Sequence, residues 1–263
     1  MDCIVMAGGV PQEDDLLYAY TQGHPKALID VAGKPMVQWV IDALTAASVR
    51  RIFVVGLRPE HGITSPKIAG YLDDRGSLIG NILAGIDRVL VVSPDTKQVL
   101  VCSSDIPMLT GDMVEAYLAQ CTDPAVDIHY AIVSRERMEQ RFPTSQRSYI
   151  HLRADGKSIG GDFAGCDLHV IAPHIGHAYR DLWNDLLDSR KSALKQALRL
   201  GPGFFTKLMT RRLSLDEIVR RVRQKFGMHV HPIPVEHPEM GMDADKPFQL
   251  EICRQALTEQ RTL

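Results

Sequence analysis

An α/β fold, with a parallel sheet covered by helices on both faces, is predicted by two features of this 263-residue chain. Apolar, β-branched runs of four or five residues recur along its first half, and segments of helical periodicity separate them. The first run holds Ile4-Val5 and ends in Gly8-Gly9; the second is Ile52-Phe53-Val54-Val55-Gly56; the third is Val99-Leu100-Val101-Cys102. Between the first two, Met36 to Ala47 sets Met36, Val37, Val40, Ile41 and Leu44 on one helical face, with Pro35 near its start. Between the second and third, Ser77 to Val89 carries Leu78, Ile82, Ile86 and Val89 at helical spacing.

The second half reads differently. Shorter candidate strands at Ile128 to Val133, Tyr149 to Leu152 and Leu168 to Ile171 give way to a helical stretch from His177 to Phe226, which Gly201-Pro202-Gly203 is expected to break. A last strand, Val230 to Val235, and a last helix, Pro247 to Leu257, follow. With no repeat, low-complexity segment or long linker, the expected organisation is one domain over residues 1–263 with a helical insertion at 177–226.

Composition narrows the classes. Apolar content of 45%, charged content of 24% and a formal net charge of −2 are those of an ordinary globular chain, and nothing global points to nucleic acid. The 5 cysteines are scattered, with no C-x-x-C pair, so neither a disulfide framework nor a zinc site is expected. No run approaches the ~20 apolar residues of a membrane helix, and no basic, signal-like segment opens the chain. A cytoplasmic protein with no integral membrane segment is the expectation; the oligomeric state is left open.

In a parallel sheet, ligands collect beyond the carboxyl ends of the strands. Three such places hold polar residues. Ala7, Gly8 and Gly9 follow the first strand, ahead of Pro25-Lys26 and Gly33-Lys34-Pro35. Ser103-Ser104-Asp105-Ile106-Pro107 follows the third, and Gly241-Met242-Asp243-Ala244-Asp245-Lys246-Pro247 follows the last. Taken singly, each has an ordinary structural role: a double glycine makes a tight turn, and a Ser, an Asp or an Asp-x-Asp ahead of a helix caps it.

Taken together and in order, "VMAGG", "PKALIDVAGKPMVQWVIDAL", "GNILAGI", "VCSSDIPML" and "GMDADKP" resemble the GT-A type nucleotidyltransferases. These are the MobA-like NTP transferases, among them molybdenum-cofactor guanylyltransferases and sugar-phosphate nucleotidyltransferases. The resemblance spreads over nearly the whole chain, and "PKALIDVAGKPM" followed by "SDIPML" is its specific part. It implies a three-layer α/β/α sandwich with a mostly parallel mixed sheet, of the nucleotide-diphospho-sugar transferase type. It also implies transfer of a nucleotidyl group from an NTP to a small phosphorylated acceptor, a sugar phosphate or a cofactor phosphate, with release of pyrophosphate. Such an in-line displacement is catalysed by positioning and charge neutralisation.

On the same resemblance, the backbone around Ala7, Gly8 and Gly9 approaches the phosphates, and Lys26 supplies a mobile charge to the triphosphate and the transition state. Asp105 is the carboxylate for Mg²⁺, with Asp245, or else Asp243, as its partner. Ser77, Asn81 and Ser104 complete the expected nucleotide contacts. Two further readings stand beside this one: a nucleotide-binding or regulatory module with impaired catalysis, and a GT-A glycosyltransferase using a nucleotide-sugar.

One departure stands out. Relatives carry a short Gly-x-x-x-Arg-Met loop after the first glycines, whereas "VPQEDDLLYAYTQGH" is longer, acidic and without Arg. Charge for a triphosphate then falls to Mg²⁺, Lys26 and His24 or Lys34, unless the acidic stretch folds outward as a solvated lid. Residues 190–225 form a local basic excess, read either as a solvated helix face or as a surface for an anionic acceptor or an acidic membrane. The histidines show no metal-ligand spacing, and Cys102 has no His-Asp arrangement beside it, which disfavours a nucleophilic hydrolase.

Overall fold

The computed structural model describes residues 1–156, 158–178 and 202–261. A mixed sheet runs through it. Strands β1 (Asp2–Met6), β4 (Arg51–Val55), β5 (Ile68–Leu72) and β6 (Val99–Ser103) are parallel to one another. Strands β7 (Ile128–Ser134) and β10 (Val230–Pro234) form a second parallel pair. Between these groups lies β9 (Gly161–Ile171), antiparallel to β6 on one side and β7 on the other, so the order is β5-β4-β1-β6-β9-β7-β10. A short strand β8 (Ile150–Leu152) pairs with the start of β9, and β2 (Asp30–Val31) with β3 (Lys34–Pro35) makes a separate two-stranded hairpin.

Helices cover both faces, giving the three-layer α/β/α arrangement. On one side pack α2 (Met36–Ala46), α4 (Gly111–Leu118), α5 (Arg135–Arg141) and α9 (Pro247–Arg261). They bury Val37, Val40, Val114, Met138, Leu250 and Cys253 against Val5, Val54, Leu100, Cys102, Ala131 and Leu168. On the other side α3 (Leu78–Val92) lays Ile86 and Val89 on Ile4, Phe53, Val99 and Val101. Ser77 caps α3, its Oγ accepting from the Gly80 amide at 3.0 Å. Farther along that face α8 (Leu215–Phe226) closes over β7 and β9, starting in a Ser214/Glu217 capping box and ending at Gly227 with φ of 70°. The remaining helices are α1 (Tyr18–Thr21), α6 (His174–Ala178) and α7 (Pro202–Met209).

Several boundaries differ from expectation. β9 begins at Gly161 rather than Leu168, because Gly161, Gly165 and Asp167 interrupt its apolar alternation. β5, with the half-exposed sequence Ile-Ala-Gly-Tyr-Leu, has too weak an apolar pattern to stand out. Pro202 opens α7. The chain turns at 210–214, where Arg211 has φ of 55° and Leu213 is buried. Of the expected helical stretch, 179–201 lies outside the described residues.

A backbone contact positions the loop after β1, and an ion pair holds the strand's start. Gly56, at φ of 97°, packs so tightly on it that a Cβ there would stand 2.1 Å from the Gly8 Cα. The start of β1 is held by Asp2, whose buried carboxylate accepts two hydrogen bonds from Arg50 (2.9 and 2.8 Å) and two from Arg51 (3.1 and 2.9 Å). Burial opposes the charge on Asp2, but the two guanidiniums outweigh it and bring the carboxyl from 3.8 to about 2. The folded chain thus binds this proton less tightly than the unfolded chain. The stabilisation is present above 3.8 and is lost as pH falls through the range down to about 2. Asp2→Asn should cost roughly 1 kcal/mol at pH 6, after discounting for solvent around Arg50. In urea titrations the gap from the parent protein should close near pH 2, and an equal gap at both pH values would rule out the ion pair as its source.

Candidate active site

Lys26 opens a single 3₁₀ turn, Lys26–Leu28, tied to the glycine loop by its backbone amide, which donates to the Gly9 carbonyl at 2.9 Å. Its side chain reaches the carboxyl end of β6 and donates to Asp105 Oδ2 at 2.7 Å. The same ammonium also donates to Asp245, from the loop before α9. Asp105 is held from two directions: Ser103 Oγ donates to its Oδ1 at 2.5 Å, and its carbonyl accepts from the Ala244 amide at 2.9 Å. Carboxylates 79 and 219 positions from Lys26 in sequence thus share its ammonium.

The side chains of Lys26 and Asp105 are 15% and 17% exposed, whereas that of Asp245 is 58% exposed, so the cluster opens to solvent on the Asp245 side. Burial alone would lower the Lys26 pKa, but Asp105 and Asp245 reverse the shift and raise it, keeping the side chain fully charged. Burial would raise Asp245, and Lys26 instead holds it below the ordinary carboxylate range.

Asp243 forms an ion pair with Arg147, whose Nη2 also donates to the Gly165 carbonyl at 3.1 Å, and its carboxyl shares a hydrogen bond with that of Asp245. Burial lifts Asp243 to about 7 even with Arg147 beside it, and Asp245 and Asp105 add to the rise. Asp167, on β9, is pushed well above its ordinary value by burial and by the negative charge of Asp105 and Asp243. Its buried Oδ2 has no hydrogen-bond partner among the described residues. Four carboxylates therefore crowd around two cationic side chains.

The expected nucleotide contacts line the neighbouring edge. Ala7 is buried and Gly8 half-buried, while Gly9 is exposed; neither glycine amide donates to a described group. A Cβ on Gly8 would meet Asp74 Oδ1 at 2.6 Å. Asn81, buried in the first turn of α3, donates to that same Oδ1 at 2.6 Å and accepts from the Arg75 amide at 2.6 Å. Ser104 is buried, its amide donating to the Met6 carbonyl at 3.1 Å. Ser77 is exposed at the cap of α3. In the acidic loop, Leu17 and Thr21 are buried as anchors, and Glu13, Asp14 and Asp15 are exposed. His24 is exposed, and Lys34 is occupied by Asp42 at 2.6 Å and by the Trp39 ring.

With this geometry in view, the relatives can be set beside it. The family model described as the MobA-like NTP transferase domain matches residues 3–202. The chain belongs to that family. Its members carry out NTP-dependent nucleotidyl transfer, and the mixed sheet flanked by helices is the family's fold. A solved hypothetical transferase from Thermus thermophilus is 31% identical, with a TM-score of 0.79 over 95% of this chain and 98% of its own. A 3-deoxy-manno-octulosonate cytidylyltransferase of Rhodopseudomonas palustris (strain TIE-1) is 27% identical over 257 residues, 91% of this chain and 94% of its own. A molybdenum cofactor guanylyltransferase of Rhodopseudomonas palustris (strain BisB5) is 30% identical over 129 residues, 47% of this chain and 58% of its own.

Against this family background, Arg147, Asp167 and Asp74 are the polar neighbours that the sequence reading passed over. An acid inside an apolar strand was the available signal for Asp167. Arg147 and Asp74 lie in irregular segments where nothing local sets them apart. Among the described residues no cluster of three or more His, Cys, Asp or Glu side chains forms a ready metal cage.

Arg147 and Asp243 are both largely buried, so removing one partner strands the other. Arg147→Met should lower unfolding free energy by about 3 kcal/mol, and Arg147→Met with Asp243→Asn should recover a good part of that. Denaturant titration of the four proteins measures the coupling, and additive losses would show that the pair acts as two independent groups.

Proposed function

We propose that this chain moves a nucleotidyl group from an NTP to a small anionic acceptor, a sugar phosphate, a sugar acid or a cofactor phosphate, with release of pyrophosphate and dependence on Mg²⁺. The observation that carries the reading is the meeting of Lys26, Asp105 and Asp245 at the carboxyl end of the sheet, beside the Gly8 and Gly9 amides, which donate to no group among the described residues.

The donor set suits a hard divalent cation. Mg²⁺ is usually held through one or two carboxylates, with substrate phosphates and water filling the rest of its shell. Asp105 and Asp245 already converge on one cationic group, and the orphan Asp167 Oδ2 marks a local surplus of carboxyl groups over cations. Asp105 and Asp245 would hold the ion. Bound there with the triphosphate, Mg²⁺ would neutralise phosphate oxygens as charge builds up during the displacement.

The protein's own groups do the remaining work. The Gly8 and Gly9 amides offer donors with no side chain in the way, so phosphate oxygens can approach the backbone. Lys26, on a flexible stem, can leave the two aspartates for the triphosphate when another cation compensates them, and then follows the charge to the transition state. Ser103 and the Ala244 amide fix Asp105 and so preserve the geometry throughout. Burial pushes the Cys102 thiol well above its ordinary value, so it stays protonated and takes no part as a nucleophile.

The named relatives use different bases, cytidylyl in one and guanylyl in another, so all four NTPs belong in the assay. With Mg²⁺ and a panel of sugar phosphates, sugar acids and cofactor phosphates, purified protein should release pyrophosphate from at least one NTP. Asp105→Asn should cut that rate by 100-fold or more while shifting the melting temperature by only a few degrees. Equal loss of stability and turnover would assign Asp105 a structural role. Tight NTP binding without any pyrophosphate would favour a binding module instead.

A further inference from the structure

The two carboxylates assigned to Mg²⁺ are not held alike. Asp105 is braced on both oxygens, by Ser103 Oγ at 2.5 Å and by Lys26 at 2.7 Å, and its carbonyl accepts from the Ala244 amide. Asp245 has a 58% exposed side chain, whose hydrogen-bond partners among the described residues are Lys26 and Asp243. In the proposed reaction Lys26 leaves for the triphosphate. Asp243 is then what still holds Asp245, at the moment when a metal ion has to be held. A carboxylate freed on an exposed edge samples several rotamers, and ordering it again on metal binding costs free energy.

Asp243 is suited to this because it is itself fixed. It forms an ion pair with Arg147, and the two side chains are only 18% and 13% exposed. Arg147 is anchored in turn by its Nη2, which donates to the Gly165 carbonyl on β9 at 3.1 Å. A guanidinium that grips a carboxylate with one nitrogen and a backbone carbonyl with the other is held in one orientation. The backbone around Asp243 is pinned as well: Met242 and Ala244 are fully buried, and a Cβ on Gly241 would stand 3.1 Å from Val133 Cγ1. Gly165, Arg147, Asp243 and Asp245 thus make a chain of contacts from the sheet to the open edge of the site.

We infer that Arg147 is a positioning residue: through Asp243 it holds the Asp245 carboxylate in place for Mg²⁺. The inference rests on the nucleotidyl-transfer reading and assigns that reaction a residue acting through another side chain. Charge and positioning predict opposite effects here. Arg147 is a buried cation whose field reaches Asp243, Asp167 and Asp245. Acting only as a charge, it would repel a metal ion, and its removal would tighten metal binding. Acting as a brace, its removal loosens binding, by roughly tenfold or more, as when the partner of a metal ligand is deleted.

Mn²⁺ is the probe, its binding to the full chain followed by water proton relaxation with and without each NTP. Asp105→Asn identifies the ion bound at this centre as the one whose affinity it lowers. Arg147→Met should raise the Mn²⁺ dissociation constant about tenfold, and Arg147→Lys, which keeps the charge but not the two-nitrogen grip, should raise it too. Because the effect passes through Asp243, Arg147→Met should add less than about twofold in an Asp243→Asn background. In turnover, the Mg²⁺ needed for half-maximal rate should rise by the same factor, with excess Mg²⁺ recovering most of the parent's rate. Partial unfolding lowers the number of ions bound and not the dissociation constant, so it does not mimic this result. The inference is overturned if Arg147→Met, or Arg147→Lys should the first not fold, tightens Mn²⁺ binding or leaves it unchanged. It is overturned equally if the loss is undiminished in the Asp243→Asn background, or if the parent protein has no Asp105-dependent Mn²⁺ site. Mn²⁺ binding that depends on Arg147 in a protein releasing no pyrophosphate would sink the proposed reaction and keep this role. Pyrophosphate release with a metal affinity indifferent to Arg147 would do the reverse.

Discussion

One ammonium between two carboxylates organises this molecule's chemistry. Lys26, Asp105 and Asp245 come from three distant stretches of chain, and the first two are fixed by backbone as well as by charge: Lys26 through the Gly9 carbonyl, Asp105 through the Ala244 amide. A buried like-charge crowd of this kind is unfavourable unless cations enter it. Here Lys26 and Arg147 divide the four carboxylates between them, and Asp167 and Asp243 respond by moving toward their neutral forms. The resting site is therefore poised to accept a further cation rather than another anion. That explains how a chain whose first loop is acidic can still be suited to a phosphate ligand.

The antiparallel strand β9 is what makes room for this arrangement. In the parallel part of the sheet Ile4, Met6, Phe53, Val55, Val99 and Val101 on the α3 face are covered by α3. Inserting β9 between β6 and β7 carries that face beyond the reach of α3, and α8 takes over only farther on, around Ile132, Leu152 and Phe163. The interval between the two helices holds Asp167, His169 and Tyr130. The acidic loop lies away from this interval, pinned by Leu17 and by Tyr20 against Arg254, with its acids facing solvent.

Much of this was legible in the sequence because local patterns and strand-end position both carry information. Ile52 to Val55 could hardly be other than a buried strand, and Met36 to Leu44 shows a single apolar face; both lie where expected. Lys26, Asp105 and Asp245 could be named because each follows a strand or precedes a helix in a recognisable motif. The antiparallel course of β9 was not readable, since Gly165 and Asp167 interrupt its alternation for reasons of the site rather than of the strand. Arg147 was invisible for a related reason: it lies between α5 and β8 with no periodicity around it, and only tertiary pairing gives it a role. Asp243 and Asp245 are neighbours in one Asp-x-Asp, and only the folded chain gives them different cations, Arg147 for one and Lys26 for the other.

The central claim is that Lys26 and Asp105 serve one shared site, and a double-mutant cycle on turnover tests it most directly. Pyrophosphate release is measured for the parent, Lys26→Met, Asp105→Asn and the double variant at saturating NTP and Mg²⁺. A shared site predicts that the double variant is about as slow as the slower single variant, because the second change removes what the first had already disabled. Rate losses that multiply would mean that the two residues act independently, and the convergent centre described here would be wrong.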